Sequence, residues 1–596
     1  MSEVNNAPAG TVVVETVGTA TLREQSVAKS LFAGRILHAS LFPYPSMNAR
    51  DRDALAAMVE ALDQFLGNRA ADFRQWDRDG AQPEEFIQQL RELGLFGLII
   101  PEEHGGLGLS NAGYARVLSQ TSRHDSSVSL TIGAHSSIGM KGILLFGTAD
   151  QRARYLPRLA CGDLIAAFCL TEPGAGSDAA SLKTTARLQS DGSWLLNGGK
   201  LWITNGGIAG LYTVFARTDA TEGKVSAFIV EAAWPGVSHG MHEDKMGIRA
   251  SSTTTVGFND VQVPPENVLG EVGKGFKIAM AILNSGRTGL GGGAVGGMKT
   301  LLRLSTRQAL ERRQFGKPIA EFGLIREKIA QMTVDCFAAE SAVWMVAHYV
   351  DSGIEDYSVE AAISKVFASD AMSRASYEAL QIAGGTGFMR DSPYEQIARD
   401  SRILPIFEGT NEILRLYIAM SGLKDAGRAL GELKSALDDI FSHPIKGFGV
   451  LSSYAERRIA QSTGISLGAS MGQCPRELQE ACETFEKYAL ALAAAAEQLL
   501  RKHGKAVVDR QLDLKRIADV AIDLFVGLCV LSRAVTLGTD TPDRAAHVHT
   551  LAQIFAQQAK RRMAANLRRL EHNEDGGLDD VAAAALAEGG YALDVI

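Results

Sequence analysis

The sequence predicts an α+β protein: an N-terminal helical domain, a central β-sandwich or barrel-like domain, a C-terminal four-helix-bundle domain, and an additional C-terminal helical domain. Three observations carry this. Apolar residues recur at helical spacing up to about residue 160. Strand-rich runs with turn signals fill residues 160–270. Helical patterning then returns and continues to about residue 590.

Residues 1–20 are small and polar and read as disordered, within an N-terminal segment spanning 1–45. Leu55, Val59, Leu62 and Leu66 fall on one helix face and open the helical domain, residues 46–160. The β domain, 161–270, rests on Phe215, Phe228-Ile229-Val230 and Val261-Gln262-Val263. Asp191-Gly192 and Asn197-Gly198-Gly199 read as hairpin turns flanking Trp194-Leu195-Leu196. Long helices over 298–313 and 360–383 belong to a bundle over 271–425. The further helical domain covers 426–596, with a Gly/Ser-rich patch at 463–473.

The chain of 596 residues has room for roughly three or four domains. Its net charge of −8 gives a nucleic-acid-binding role no electrostatic support. The six cysteines, Cys161, Cys169, Cys336, Cys474, Cys482 and Cys529, are too scattered for a metal site or a disulfide framework and read as reduced thiols. No metal is expected. The N-terminal forty residues lack a secretory pattern and contain Glu3, Glu15 and Glu24, which argues against a transit peptide. No run of about 18 apolar residues suggests a spanning helix.

Two motifs mislead. Gly291-Gly292-Gly293-Ala294-Val295-Gly296 has dinucleotide-loop spacing, but the residues before it look helical, so close helix packing is expected instead. Gly464-Ile465-Ser466-Leu467-Gly468 resembles a nucleophile elbow, but a polar helix precedes it where a buried strand is required.

The chemistry concentrates elsewhere. Leu170-Thr171-Glu172-Pro173-Gly174-Ala175-Gly176-Ser177-Asp178 is a strand running into a tight loop that offers backbone N–H groups and hydroxyls to a ligand. Trp202 and Thr204 end a second strand. Two residues apart, they share a face and pair a flat apolar ring with a donor, which suits a large flat cofactor. In Ile406-Phe407-Glu408-Gly409-Thr410-Asn411-Glu412-Ile413, the Glu408 carboxylate lies between an aromatic ring and a glycine, and Thr410 or Asn411 can cap the following helix. Desolvation by Phe407 would raise the Glu408 pKa toward that of a usable base.

Together with Gln381-Ile382-Ala383-Gly384-Gly385-Thr386-Gly387-Phe388 and Arg399-Asp400, these motifs resemble the acyl-CoA dehydrogenases, FAD enzymes of fatty-acid β-oxidation. The very-long-chain branch is the most similar. Its marks are Phe42-Pro43-Tyr44-Pro45-Ser46, the segment Lys141-Gly142-Ile143-Leu144-Leu145-Phe146-Gly147-Thr148, and the extra C-terminal helices.

The resemblance implies specific roles. Phe168, Leu170 and Thr171 would contact the flavin, with Ser177 near FAD or CoA phosphates. Trp202 would pack on the isoalloxazine ring, and Thr204 would bond flavin N5. Arg312, Phe315, Gln381, Gly384 and Gly385 would reach the FAD of a neighbouring subunit, implying a homodimer. Thr410 and Asn411 would hold the adenosine-diphosphate part. Glu408 would take the substrate α-proton while a β-hydride goes to flavin N5. The Glu408 N–H and a flavin ribityl hydroxyl would bond the thioester oxygen. Asn284, Arg287, Phe407 and Gly409 would line the substrate site. Gly323 departs from the family, where a FAD-contacting Gln is common.

The resemblance also implies an electron-transfer flavoprotein as acceptor. An acyl-CoA oxidase that reduces oxygen would use the same residues, and an assembly protein on this fold is a reading of another class. Intact Glu408, Trp202, Thr204 and Arg287 favour an enzyme over the assembly role, and they serve dehydrogenase and oxidase alike. Ser129 and Gly133, four apart on an expected helix over 128–141, would border a long acyl tunnel. Phe448, Leu451, Ala455 and Ile459 with Lys446, Arg457 and Arg458 suggest that a cytoplasmic protein makes peripheral contact with the inner face of a membrane through residues 446–462.

Overall fold

The computed structural model describes residues 26–47, 49–218, 224–438 and 474–595. The patch at 463–473, the 464–468 motif and the proposed membrane segment 446–462 lie outside them, as do residues 1–20.

The N-terminal helices are α1 (Val27–Leu31), α2 (Ala49–Gly67), α3 (Ala70–Asp79), α4 (Glu84–Glu92), α5 (Asn111–Ser122), α6 (Ser126–Gly133), α7 (Lys141–Phe146) and α8 (Ala149–Ala160). Leu55, Leu62 and Leu66 are buried, as the helical spacing predicts. The expected helix over 128–141 is interrupted by a π-helical stretch, Ala134–Gly139, between α6 and α7. Such stretches displace the residues that follow and often mark functional sites. Residues 26–44 are not loose. Val27, Leu31, Phe32 and Leu41 are buried, and the Tyr44 hydroxyl donates to the Ser341 carbonyl at 3.0 Å.

Eight strands follow: β1 (Ala166–Cys169), β2 (Thr185–Leu188), β3 (Trp194–Thr204), β4 (Leu211–Arg217), β5 (Val225–Glu231), β6 (Val237–His239), β7 (Thr253–Val263) and β8 (Val268–Leu269). They form one sheet in the order β6-β7-β3-β2-β4-β5-β8, with β1 parallel to β4. Alternation along β4 sends Tyr212 and Val214 into one core with Trp194 and Phe258. Leu211 and Phe215 enter another, against Tyr155 and Ile282. The sheet is therefore covered on both sides, folded on itself on one and capped by helices on the other.

Asp191-Gly192 turns between β2 and β3 as expected, with Gly192 at φ 87°. Asn197-Gly198-Gly199 does not turn. It lies inside β3 at a register shift, where a Cβ on Gly198 would come within 2.5 Å of the Thr184 hydroxyl. The glycine pair permits a bulge and a close approach rather than a hairpin.

The second helical part contains α9 (Gly275–Glu311), α10 (Gly323–Asp351), α11 (Ser358–Ala383), α12 (Gly385–Phe388), α13 (Pro393–Ser401) and α14 (Asn411–Asp438). A small β9 (Arg313–Gln314) and β10 (Lys317–Pro318) hairpin follows α9. Helices α9, α10 and α11 pack on one another, and α14 packs on α11. The glycine run lies within α9, as expected of a packing seam. Cβ atoms on Gly292 and Gly296 would come within 2.5 Å of the Ala115 carbonyl and 2.0 Å of the Ser119 carbonyl on α5.

The last helices are α15 (Gln479–His503), α16 (Gln511–Asp540), α17 (Pro542–Arg568) and α18 (Asp575–Glu588). They share a core with the bundle through Tyr349, Phe485 and Phe525, and α14 runs across the expected boundary at residue 425. Helix α16 is apolar and long enough to cross a membrane, a feature the sequence reading overlooked. It is a core helix instead, with 78% of its most apolar stretch buried. Another correction concerns the thiols. Cys474 and Cys482, read from the sequence as scattered thiols, are brought side by side, one just before α15 and the other in its first turn. The remaining four cysteines are free.

Candidate active site

A cavity of about 380 Å³ lies where α6, the π-helical stretch, α9, the ends of β1 and β3, and the loop between α13 and α14 converge. Its surface is mainly apolar, with Leu118, Leu130, Ile138, Leu283 and Phe407 among the lining residues. Polar groups enter at few points, as in small-molecule sites generally.

Glu408 is one of those points. Its φ of 55° and the φ of 92° at Gly409 give two successive left-handed residues. The first is unfavourable for a side-chain-bearing residue, by roughly 1–2 kcal/mol. The surrounding loop holds it: the Asn411 N–H donates to the Pro405 carbonyl at 2.9 Å, and the Lys365 ammonium to the Gly409 carbonyl at 2.8 Å. The turn directs the carboxylate at α9, where Gly286 leaves room for it. Oε2 is buried without a hydrogen-bond partner among the described residues. Burial raises the Glu408 pKa to about 7, and the positive charges of Lys365 and Arg287 oppose that rise. The carboxylate is therefore poised to exchange a proton near neutral pH.

Arg287 is buried on α9. Its Nη1 donates to Asn284 Oδ1 at 2.7 Å, while Nε has no partner among the described residues. Lys365 also donates to Asn411 Oδ1 at 2.8 Å, and burial pushes its pKa down to about 7.

Most residues singled out in the sequence meet here. Phe168, Leu170, Thr171, Ser177, Trp202, Thr204, Asn284, Arg287, Phe407, Glu408 and Gly409 all line the cavity. Trp202 and Thr204 do so for a reason that simple alternation misses. The register of β3 shifts between Lys200 and Ile203, and Trp202 takes φ 55°, leaving its ring 63% exposed. Ser129 and Gly133 line the cavity as well.

Thr410 caps α14, its hydroxyl accepting from the Ile413 N–H at 3.3 Å. Asn411 departs from the expectation of a cofactor contact. Its amide donates to Ser369 Oγ and Asp370 Oδ1, and its oxygen accepts from Lys365 and Ser369, so the side chain is spent inside the protein. Arg312, Phe315, Gln381, Gly384 and Gly385 stand on the exposed surface outside the cavity, with Phe315 94% exposed.

The residues present fit a flavin. The largely exposed Trp202 lines the cavity together with Thr171, Gly176 and Thr204, and a Cβ on Gly176 would meet nothing within 4 Å, which leaves the loop backbone open to a ligand. Lys365 and Gly286 were missed in the sequence. The signals available were a lone lysine in an apolar helical run, Ile363-Ser364-Lys365-Val366, and a glycine immediately before Arg287.

Comparison with known proteins agrees with this geometry. Family models described as the N-terminal, middle and C-terminal domains of acyl-CoA dehydrogenase match residues 52–163, 167–261 and 273–423. A model described as the ACAD9/ACADV C-terminal domain matches 476–591. The mitochondrial very long-chain specific acyl-CoA dehydrogenase of Rattus norvegicus is 42% identical over 564 residues, 93% of this chain and 85% of that protein. Among solved structures, an acyl-CoA dehydrogenase complexed with FAD from Bacillus anthracis superposes with a TM-score of 0.78 at 32% identity, covering 92% of each chain. The butyryl-CoA dehydrogenase of Megasphaera elsdenii, at 38% identity and a TM-score of 0.60, covers 97% of its own length but 62% of this chain.

Proposed function

This chain belongs to the acyl-CoA dehydrogenase family, and we propose that it acts on long-chain acyl-CoA with Glu408 as the catalytic base. It is an FAD-dependent oxidoreductase that converts an acyl-CoA to the trans-2-enoyl-CoA in fatty-acid β-oxidation. The observation that carries the assignment of the base is the Glu408 carboxylate, held in an apolar cleft with one oxygen that has no hydrogen-bond partner among the described residues.

Glu408 removes the substrate α-proton. It must be ionised beforehand, and Arg287 and Lys365 favour that state. Its backbone N–H bonds the thioester oxygen and stabilises the enolate-like charge that develops as the proton leaves. Asn284 orients Arg287 beside the substrate. Phe407 and Ile138 exclude water from the reacting carbons. FAD, when bound, supplies the acceptor for the hydride from the β-carbon. Phe168, Leu170, Thr171, Ser177, Trp202 and Thr204 would hold it, with Trp202 offering the flat surface.

The acyl chain extends past Ser129 and Gly133 toward Leu118 and Leu130. Small side chains at the first two positions keep that path open. Each buried methylene then adds about 0.8 kcal/mol of binding until the path ends. Arg312, Phe315, Gln381, Gly384 and Gly385 reach the cofactor of a second copy in a homodimer, which accounts for their exposure in one chain. Electrons leave to an electron-transfer flavoprotein.

Turnover across a series of acyl-CoA lengths tests this reading, with reduction of an electron-transfer flavoprotein and release of peroxide measured in parallel. A maximum at long chains without peroxide supports it. A maximum at butyryl- or hexanoyl-CoA, or stoichiometric peroxide, overturns it. A cytoplasmic location with peripheral contact at the inner membrane face is a separate proposal resting on residues 446–462. Co-sedimentation with anionic liposomes that is equal for wild type and a deletion of that segment contradicts it.

A further inference from the structure

Lys365 lies on α11 with its side chain fully buried, and no step above requires it to touch substrate or cofactor. Burying an ammonium costs several kcal/mol even after relaxation. An apolar side chain would pack here more cheaply, so the lysine must satisfy something specific.

Its partners define what that is. The ammonium donates to the Gly409 carbonyl and to Asn411 Oδ1, each at 2.8 Å. The Asn411 amide donates to Ser369 Oγ at 2.9 Å and to Asp370 Oδ1 at 2.7 Å. Asp370 Oδ2 accepts from Arg415 Nη2 at 2.7 Å, and Arg415 Nε donates to Asp519 Oδ1 at 2.6 Å. Asp519 belongs to α16. A continuous polar chain thus runs from the C-terminal helices to the peptide unit between Gly409 and Thr410. It ends where the backbone adopts two successive left-handed conformations.

We propose that Lys365 is a positioning residue for proton abstraction: it anchors the Gly409 carbonyl so that the Glu408 carboxylate points into the cleft, and the Asn411, Asp370, Arg415 and Asp519 side chains hold it in place from the C-terminal helices. This rests on Glu408 being the base. The same ammonium contributes to the field around the carboxylate. Glu408 is faced by Lys365 of α11, Arg287 of α9 and Tyr114 of α5. Lys365 is faced by Glu408, Arg287, Asp370 of its own helix and Glu412 of α14. Removing the lysine frees the carbonyl and deletes the positive charge it carries when protonated, so the base should be less well aimed and bind its proton more tightly.

The test is anaerobic single-turnover flavin reduction by palmitoyl-CoA as a function of pH. It compares the FAD-loaded full-length wild type with Lys365→Met, Lys365→Arg and Glu408→Gln. In Lys365→Met the midpoint should move up by about one pH unit, the size expected for loss of a nearby opposite charge. The plateau rate should fall by about tenfold or more, as misplaced catalytic groups do. Lys365→Arg keeps the charge and should bring the midpoint back toward wild type. A wild-type midpoint and rate in Lys365→Met overturn the proposal. If Lys365→Met does not load FAD, Lys365→Gln is read by the same criteria. Loss of FAD in both neutral variants, with normal loading in Lys365→Arg, would assign the lysine to folding alone and also overturn it. Flavin reduction by Glu408→Gln would overturn the assignment of the base instead, which separates the two failures.

Discussion

A Cβ on Gly286 would stand 3.2 Å from Oε2 and 3.3 Å from Oε1 of Glu408, so α9 lacks a side chain at the point the carboxylate occupies. The same Cβ would come within 2.8 Å of Ile138 Cγ2. The base is therefore confined between a bare stretch of helix and an apolar side chain, with Arg287 one residue further along.

Gly286→Ala should separate activity from stability. Alanine improves helix propensity by roughly 0.5–1 kcal/mol, which offsets part of the contact with Ile138. Ile138 must give way and the carboxylate must shift by a few tenths of an ångström; a displacement near 1 Å can cost about a hundredfold in rate, so a smaller loss follows here. Expected are near-normal FAD content and thermal midpoint with measurably slower flavin reduction. Wild-type turnover would mean that the carboxylate has room to spare.

Ser129→Phe should act on chain length. Ser129 lines the cavity, and its hydroxyl donates to the Leu118 carbonyl at 3.2 Å. A ring in this position blocks the path that long acyl chains would take. At about 0.8 kcal/mol per methylene, losing three or four methylenes from the cavity weakens binding by roughly two orders of magnitude. The ratio of kcat/KM for palmitoyl- over hexanoyl-CoA should fall accordingly. An unchanged ratio would place the acyl chain elsewhere.

Glu360 offers a stability test outside the chemistry. It is buried, its Oε1 accepts from Ser26 Oγ at 2.6 Å and from the Ala28 N–H at 2.8 Å, and its Oε2 has no partner among the described residues. Burial raises its pKa to about 7 from an ordinary value of 4.5. The folded state therefore holds a proton that the unfolded chain releases. That contribution is full below the unfolded pKa and is lost as pH rises through about 7. Glu360→Gln cannot ionise, so its thermal midpoint should gain on wild type between pH 5 and pH 8. A constant gap across that range would contradict the assignment.

Much of this was legible in the sequence because local chemistry and global fold agree there. Glu408 stands beside an aromatic residue and a glycine, and both matter: Phe407 lines the cleft, and Gly409 takes φ 92°. The glycine run in α9 could be read as packing because nothing before it looked like a strand, and its contacts with α5 are backbone approaches that a Cβ would forbid. Lys365 and Asn411 were harder. Their partners lie more than forty residues apart in sequence, and neither residue type announces whether it faces a ligand or the interior. Asn197-Gly198-Gly199 was ambiguous for another reason. A glycine pair serves a hairpin and a bulge equally well, and only its pairing with β7 decides between them.

The central claim, that Glu408 takes the substrate proton, is tested most directly by anaerobic flavin reduction in Glu408→Gln. The amide preserves shape and cannot accept the proton. The variant should purify with FAD, bind palmitoyl-CoA and leave its flavin oxidised. Reduction at a rate near that of the wild type would contradict the account.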